Sequence, residues 1–149
     1  MKKFLSAFMI LVVAGLLIVQ ELDLEFCTKS IAKMLNERIK KMGFERIVAS
    51  SVKDKETGKY YFTVLVYERI SKAKIMELLG TMAGDIGYLA PESLNDAKLA
   101  VCIPTSDYKF VTVYELSVAE CKEGANIEDD DKFADFIKSH VKISKRPNK

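Results

Sequence analysis

The chain begins with an apolar segment that follows a pair of lysines. Residues 4–19 contain no charged side chain and come directly after Lys2 and Lys3, which is the layout of an export signal. A helix of this length extends about 24 Å, so it crosses the ~30 Å hydrocarbon core only if its polar flanks reach the headgroups. Cleavage at the available small residues would leave residues 16–19, all apolar, at the new terminus. We therefore predict an uncleaved membrane anchor over residues 1–20.

Two other interpretations of this segment stay open: a cleaved signal of a secreted protein, and a buried N-terminal helix of a cytosolic structural protein. The buried helix is disfavoured because no polar face interrupts the apolar run. Lysines precede the segment and the acidic Glu21, Asp23 and Glu25 follow it, so the positive-inside rule places the amino terminus in the cytoplasm. Residues 21–149 are then predicted to form a single domain outside the cytoplasm of a single-pass cell-membrane protein.

After the anchor the pattern changes to strict alternation and then to helical spacing. Residues 22–26 alternate apolar with acidic side chains, which predicts a half-buried strand. Thr28 fits the N-cap of a helix that ends at Gly43. The apolar stripe of this helix consists of Ile31, Leu35, Ile39 and Met42. Almost no linker would then separate the anchor from the sheet.

The middle of the chain predicts a hairpin and a second helix. Residues 44–52 and 60–69 have strand composition, and Gly58 between them suits a hairpin loop because glycine adopts positive φ freely. Ser71 fits the N-cap of the second helix. Three glycines in GTMAGDIGYLAP predict that this helix frays before Pro91.

The last third predicts another hairpin and a final helix. Residues 98–103 and 108–118 have strand patterns on either side of the turn sequence PTSD. The segment IEDDDKFADFIKSH places acidic residues at the start of a helix and basic ones at its end, as the helix dipole favours. The complete order is β-α-β-β-α-β-β-α after an N-terminal hydrophobic helix. This order predicts an α+β fold in which helices pack on a mainly antiparallel sheet.

Several of these segments resemble the uncharacterised family called domain of unknown function 302. LNERIKKMGFERI, YYFTVLVYERISKAKIMELL and DIGYLAP are similar to its helix ending in Gly-Phe, its central strand with the following helix, and its Ile-Gly-x-Leu-x-Pro stretch. The resemblance covers roughly residues 30–118 and implies helices on a sheet, with no known activity. The family's cysteines are replaced here by Tyr67, after the central strand, and Glu92, after the later proline. Any chemistry of those cysteines is therefore not inherited.

The charge distribution argues against one large class of partner. The formal charge of +2 equals the contribution of Lys2 and Lys3, so the remaining chain lacks the basic surplus that nucleic-acid binding requires. Locally the charges are separated: residues 120–131 carry six acids and one lysine, and residues 132–149 carry six basic residues and one aspartate. These blocks either neutralise each other in the fold or leave a basic tail that lies on anionic lipid headgroups.

The cysteines show no pattern of metal binding or catalysis. Cys27, Cys102 and Cys121 lack the short spacing of a metal cluster, and Cys102, between apolar neighbours, is predicted to be a core thiol. The enzymatic alternative is a thiol-dependent enzyme that uses Cys102 or Cys121, and it requires a nearby base. The single histidine, His140, stands in the last turn of a helix, where the dipole accounts for it. We predict no catalytic residue, cofactor or metal.

The central strands are apolar on both sides. In YYFTVLVYE neither set of alternate residues is polar, and in YKFVTVYEL the apolar Phe110, Tyr114 and Leu116 are opposed to Val111 and Val113, whereas a sheet face in contact with water would be polar. The cover is helices on both faces, a homodimer or other protein partner, or an apolar ligand in a cleft. We predict a non-enzymatic domain that binds a protein partner or a small apolar ligand through a sheet face. The candidate residues are Tyr61, Thr63, Tyr67, Phe110 and Tyr114.

Overall fold

Residues 23–149 are described by a computed structural model and form four α-helices and one five-stranded sheet. The predicted N-terminal hydrophobic helix and anchor lie outside the described residues. The helices are α1 (residues 23–41), α2 (Lys72–Leu89), α3 (Val118–Ala125) and α4 (Asp130–His140), and a short 3-10 helix spans Glu92–Leu94. The strands are β1 (Ile47–Lys53), β2 (Tyr60–Val66), β3 (Lys98–Pro104), β4 (Phe110–Ser117) and β5 (Lys142–Pro147).

The sheet is mixed. Its strands lie in the order β1-β2-β3-β4-β5, and every neighbouring pair is antiparallel except β2 and β3. These two are parallel because α2 carries the chain from the end of β2 back to the start of β3. The predicted α+β class is confirmed, and the predicted antiparallel pairing holds for three of the four strand pairs.

One face of the sheet packs against the helices. Alternate residues of β2, β3 and β4 meet the apolar stripes of α1 and α2, and α3 and α4 close the same core. Burial of these stripes is what holds short amphipathic helices in place. The largest fully buried side chains include Phe62, Leu35, Ile39, Leu78, Leu79, Met82 and Leu116.

The local signals that predict element ends are confirmed at Gly43, Gly58 and Ser71. Gly43 and Gly58 adopt φ angles of +88° and +70°, the left-handed conformation that ends α1 and closes the hairpin between β1 and β2. The side chains of Ser71 and Asp129 each accept a hydrogen bond from the backbone N–H three residues on. They therefore cap α2 and α4.

The predicted strand over residues 22–26 is wrong, because the chain is helical from residue 23 onward. Leu24 packs against the core while Phe26 is 74% exposed, so the alternating apolar residues do not share a face. Thr28 is not a cap; it is buried within α1 and donates its hydroxyl to the Glu25 carbonyl oxygen at 2.9 Å. Glu25 also forms an ion pair with Lys29, one turn later in α1, and this i, i+4 pair supports the helix.

Helix α2 does not fray at its glycines. It continues through Gly80, Gly84 and Gly87 to Leu89, so the predicted early end is wrong. Gly87 serves close packing, since the backbone of α3 lies against it, whereas Gly80 and Gly84 lie beside the Phe133 ring with room for a Cβ atom. A residue without Cβ is needed where another backbone approaches this closely.

The sequence pattern predicts neither α3 nor β5. The second strand of the later hairpin ends at Ser117, which forms a capping box with Glu120 and begins α3. The expected basic tail is instead β5, which pairs with β4 and forms one edge of the sheet. Charged residues and a proline are typical of exposed edge strands, and they lack the apolar alternation by which strands are recognised.

The opposite edge of the sheet is closed by a side chain. Ala49 on the edge strand β1 is 4% exposed. Its backbone N–H donates to Oδ1 of Asn36 on α1, and its carbonyl oxygen accepts from Nδ2 of the same side chain, both at 2.8 Å. One amide thus satisfies two main-chain groups that an edge strand leaves unpaired.

Candidate functional site

The second face of the sheet has no helix across it within the described residues. Side chains alternate between the two faces of each strand, and the set on the helix side belongs to the core. We call the other surface the open face. From β1 to β4 it comprises Val48, Ser50, Val52, Tyr61, Thr63, Leu65, Ala100, Cys102, Val111 and Val113, and Lys98 and Glu115 lie on the same side of the sheet.

The open face is mainly apolar and is accessible toward its β1 side, whereas Ala100 and Val113 are only 6% and 5% exposed. Val48 and Val52 on β1 are 49% and 51% exposed, and Tyr61 and Leu65 on β2 are half-buried. Ser50 and Thr63, which lie opposite each other on β1 and β2, are its uncharged polar members. Contiguous apolar surface of this kind on a soluble domain usually marks an interaction site.

The five residues predicted to form one binding face are divided between the two sides of the sheet. Tyr61 and Thr63 lie on the open face. Tyr114 lies on the helix side within the core, and Phe110 is on the same side of β4. Tyr67 follows the end of β2 and is 48% exposed. The structure therefore brings two of the five together on the open face.

Most of the open face was missed because strand register is not visible in the sequence. The alternation of β4 separates Val111 and Val113 from its aromatic residues, but it does not show which set lies beside β2. In the structure Tyr61 is level with Lys98, and Lys98 with Ser117. This register places the odd-numbered residues of β4 on the side of Tyr61.

A charged cluster borders the open face. Glu115 of β4 accepts a hydrogen bond from the Lys98 ammonium at 2.7 Å and pairs with the Arg146 guanidinium at 3.3 Å. Burial alone raises the pKa of Glu115, but the two cations outweigh it and hold that pKa below its ordinary value. The hydrogen bond to Glu115 likewise raises the pKa of Lys98. The cluster is therefore ionised at neutral pH and joins β3, β4 and β5.

We expect Glu115→Gln to lower the free energy of unfolding at pH 7 by about 1 kcal/mol, because the charge-assisted hydrogen bonds are lost. The pKa of Glu115 in the folded chain lies below the ordinary 4.5. The ionic contribution is therefore complete above that pH and is lost as the pH falls through the lowered pKa. Thermal unfolding of the full-length chain in mild detergent, followed by circular dichroism from about pH 3 to 7, measures the difference.

The matched control for this variant is Glu37→Gln on the exposed side of α1. It should leave the melting temperature unchanged within about 2 °C. The gap between wild type and Glu115→Gln should close in acid. A gap of constant size across the pH range would contradict an ionic origin of the stabilisation.

The thiols are shielded. Cys121 is fully buried on α3, and burial raises its pKa to about 12. Cys102, predicted to be a core thiol, lies half-buried on the open face instead, where burial raises its pKa above the ordinary value. The His140 ring is engaged elsewhere: it stacks on Phe136 at 3.9 Å between centroids, and its Nδ1 lies 2.8 Å from the Phe136 carbonyl oxygen. A thiolate nucleophile needs the opposite environment.

Two cavities of the domain lie away from the open face. A groove of about 970 Å³ between α2 and α4 has Met76, Phe133 and Ile137 in its apolar lining. A cavity of about 370 Å³ opens at the carboxyl ends of the parallel strands β2 and β3, next to Tyr67 and Tyr108. No open-face residue lines either cavity. The open face is one side of a five-stranded sheet and takes no part in these two cavities, which suits a macromolecular partner better than a small ligand.

The described residues provide no metal centre, since none of their His, Cys, Asp and Glu side chains form a group of three or more suited to hold an ion. Comparison of the chain with known protein families, curated protein sequences and solved structures finds no match. The resemblance to the domain of unknown function 302 family therefore stays a prediction.

Proposed function

We propose that this chain is a non-enzymatic binding domain that pairs with a second copy of itself through the open face. Residues 4–19 anchor it in the cell membrane, with the domain outside the cytoplasm. The observation that carries the pairing is the apolar open face with no described element across it. The anchor is supported by the charge-free segment and the lysines before it. Among residues 23–149, no helix combines the length and the apolar character needed to cross a bilayer.

The size of the sheet favours a protein surface as the occupant. Five strands of six to eight residues cover about 24 by 23 Å, or roughly 550 Å² before side-chain relief is counted. A specific protein interface takes about 800 Å² of accessible surface from each partner. The sheet therefore offers an area of the same order as one side of a specific protein interface.

The arrangement of charge favours a second copy. Nearly all charged side chains on this side of the sheet lie on β5 or next to it, namely Glu115, Lys142 and Arg146, and Lys98 lies at the start of β3. The row across the sheet formed by Val48, Leu65, Cys102 and Val113 is uncharged. A two-fold axis through that row therefore joins apolar surface to apolar surface and leaves the charges at the rim, as an isologous interface requires.

We expect the full-length chain in density-matched detergent to have the mass of two chains in sedimentation equilibrium at micromolar concentration. Leu65→Lys should weaken the dimer at least about 100-fold, because each copy would bury an uncompensated charge in the interface. Val48→Lys, at a half-exposed position on β1, should act in the same direction without disturbing the fold.

A terminal mass measurement on protein from its native membrane tests the anchor: an intact Met1 supports it, and a terminus at residue 15 or later refutes it.

The matched control for the substitutions on the open face is Met34→Lys. Met34 is 47% exposed on α1, so the substitution adds the same charge to an equally exposed apolar position on the helix side. It should leave the dimer intact. A monomeric wild-type chain, or a dimer that survives both Leu65→Lys and Val48→Lys, would refute pairing through the open face.

A further inference from the structure

The edge of the sheet at β5 carries concentrated positive charge. Residues 138–149 contain five basic residues and no acidic one. Four of them lie on β5 or directly after it and are exposed. We call these four the basic edge: Lys142, Lys145, Arg146 and Lys149.

The acidic block of residues 120–131 does not neutralise the basic edge. Glu120 and Asp129 are occupied at the starts of α3 and α4, where they accept hydrogen bonds from backbone N–H groups. Within residues 23–149, Arg146 is the one member of the basic edge that forms an ion pair, and its partner Glu115 is shared with Lys98. Three lysines of the edge are therefore free to meet an external anion.

Apolar side chains accompany these charges. Ile143 of β5, which lies between Lys142 and Lys145 in the chain, is 56% exposed, and Phe110 on the neighbouring strand β4 is 39% exposed. The Lys145 ammonium lies 4.7 Å from the centroid of the Phe110 ring. Basic residues beside accessible aliphatic and aromatic groups are typical of protein segments that lie at a lipid interface. A nucleic-acid backbone would pair with the lysines but would leave Ile143 in water.

We propose that the basic edge binds the surface of an anionic phospholipid membrane. This inference rests on the proposed function in one respect, that residues 4–19 keep β5 within reach of the headgroups. Each basic residue near an anionic surface strengthens binding about fivefold at low salt, and the attraction is screened over about 8 Å at physiological ionic strength. The sheet would then stand on its β5 edge at the membrane, with the open face free for the second copy.

The test uses the full-length chain in nanodiscs of phosphatidylcholine alone or with about 30% phosphatidylglycerol. Acetylation rates of single lysines, read by mass spectrometry, report which side chains the lipid covers. We expect Lys142 and Lys145 to react at least about fivefold more slowly in the anionic discs, and about 0.5 M salt to restore their rates. Lys33 and Lys40, on the exposed side of α1, are internal controls and should react equally in both lipids.

Equal rates for Lys142 and Lys145 in both lipids would overturn the lipid contact while leaving the anchor intact. A chain that fails to enter nanodiscs would refute the anchor instead. In that case flotation with anionic vesicles tests the lipid contact. The double variant Lys142→Gln, Lys145→Gln should bind the vesicles less than the double variant Lys33→Gln, Lys40→Gln. Absence of binding by the wild type would overturn the lipid contact. Protection of the same two lysines by single-stranded DNA in neutral discs would assign the edge to nucleic acid.

Discussion

Replacing Gly87 with alanine is expected to lower the free energy of unfolding by about 3 kcal/mol. A Cβ atom at this position would clash with the Cys121 carbonyl oxygen of α3 and lie 2.7 Å from its carbonyl carbon. Both atoms belong to the main chain of a helix, so no side-chain rotation relieves the contact and α2 and α3 have to separate. Alanine is the better helix former by about 1 kcal/mol, which offsets part of the cost and not the whole of it.

Gly84→Ala is the matched control, because it makes the same change in the same helix. There the added Cβ would lie 3.9 Å from Cζ of Phe133, an ordinary contact distance. We expect this variant to match the wild type or to gain up to about 1 kcal/mol. Thermal unfolding of the full-length chain in mild detergent should show a fall of about 10 °C for Gly87→Ala and none for Gly84→Ala. Equal losses would indicate that backbone flexibility, and not the approach of α3, explains the glycine.

The two roles of glycine show which parts of the fold could be predicted from the sequence. The Ser71 cap and the Gly58 turn act within a few residues of the chain, so their signals are local and both are confirmed. A glycine that ends a helix and one that admits a neighbouring helix are the same letter in the sequence. The role of Gly87 is determined by its contact with Cys121 on another helix. A contact between residues far apart in the chain cannot be recognised from the local sequence pattern.

The sequence predicts only part of the candidate site, and the reason is related. The apolar second side of β2 is visible as alternation, so Tyr61 and Thr63 were expected on a binding face and lie on the open face. The contribution of β4 depends on its register with β3 and on the parallel pairing of β2 with β3. These are set by the path of α2 and by packing in the core. For that reason the sequence pattern predicts Tyr114 on the binding face, although the structure buries it under the helices.

Asn36→Ala is expected to lower the free energy of unfolding by about 2 kcal/mol, the second large effect in this domain. The change removes both hydrogen bonds that the side chain makes to the Ala49 backbone at 2.8 Å. Since Ala49 is 4% exposed, water reaches the freed N–H and C=O groups poorly, and each carries much of its desolvation cost. The higher helix propensity of alanine offsets about 0.6 kcal/mol of the loss in the free energy of unfolding.

The control for Asn36→Ala is Glu37→Ala, one position along α1 and exposed to solvent, which should shift the melting temperature by less than about 2 °C. Hydrogen exchange gives a second, local measurement: the Ala49 amide should exchange much faster in Asn36→Ala, while amides of β3 keep their protection. Loss of pairing at this edge also loosens β1, which carries Val48 and Val52 of the open face. We therefore expect the variant to weaken the dimer as well, although Asn36 lies on the helix side of the sheet. Unchanged exchange at Ala49 would contradict the role of Asn36 as the closure of the sheet edge.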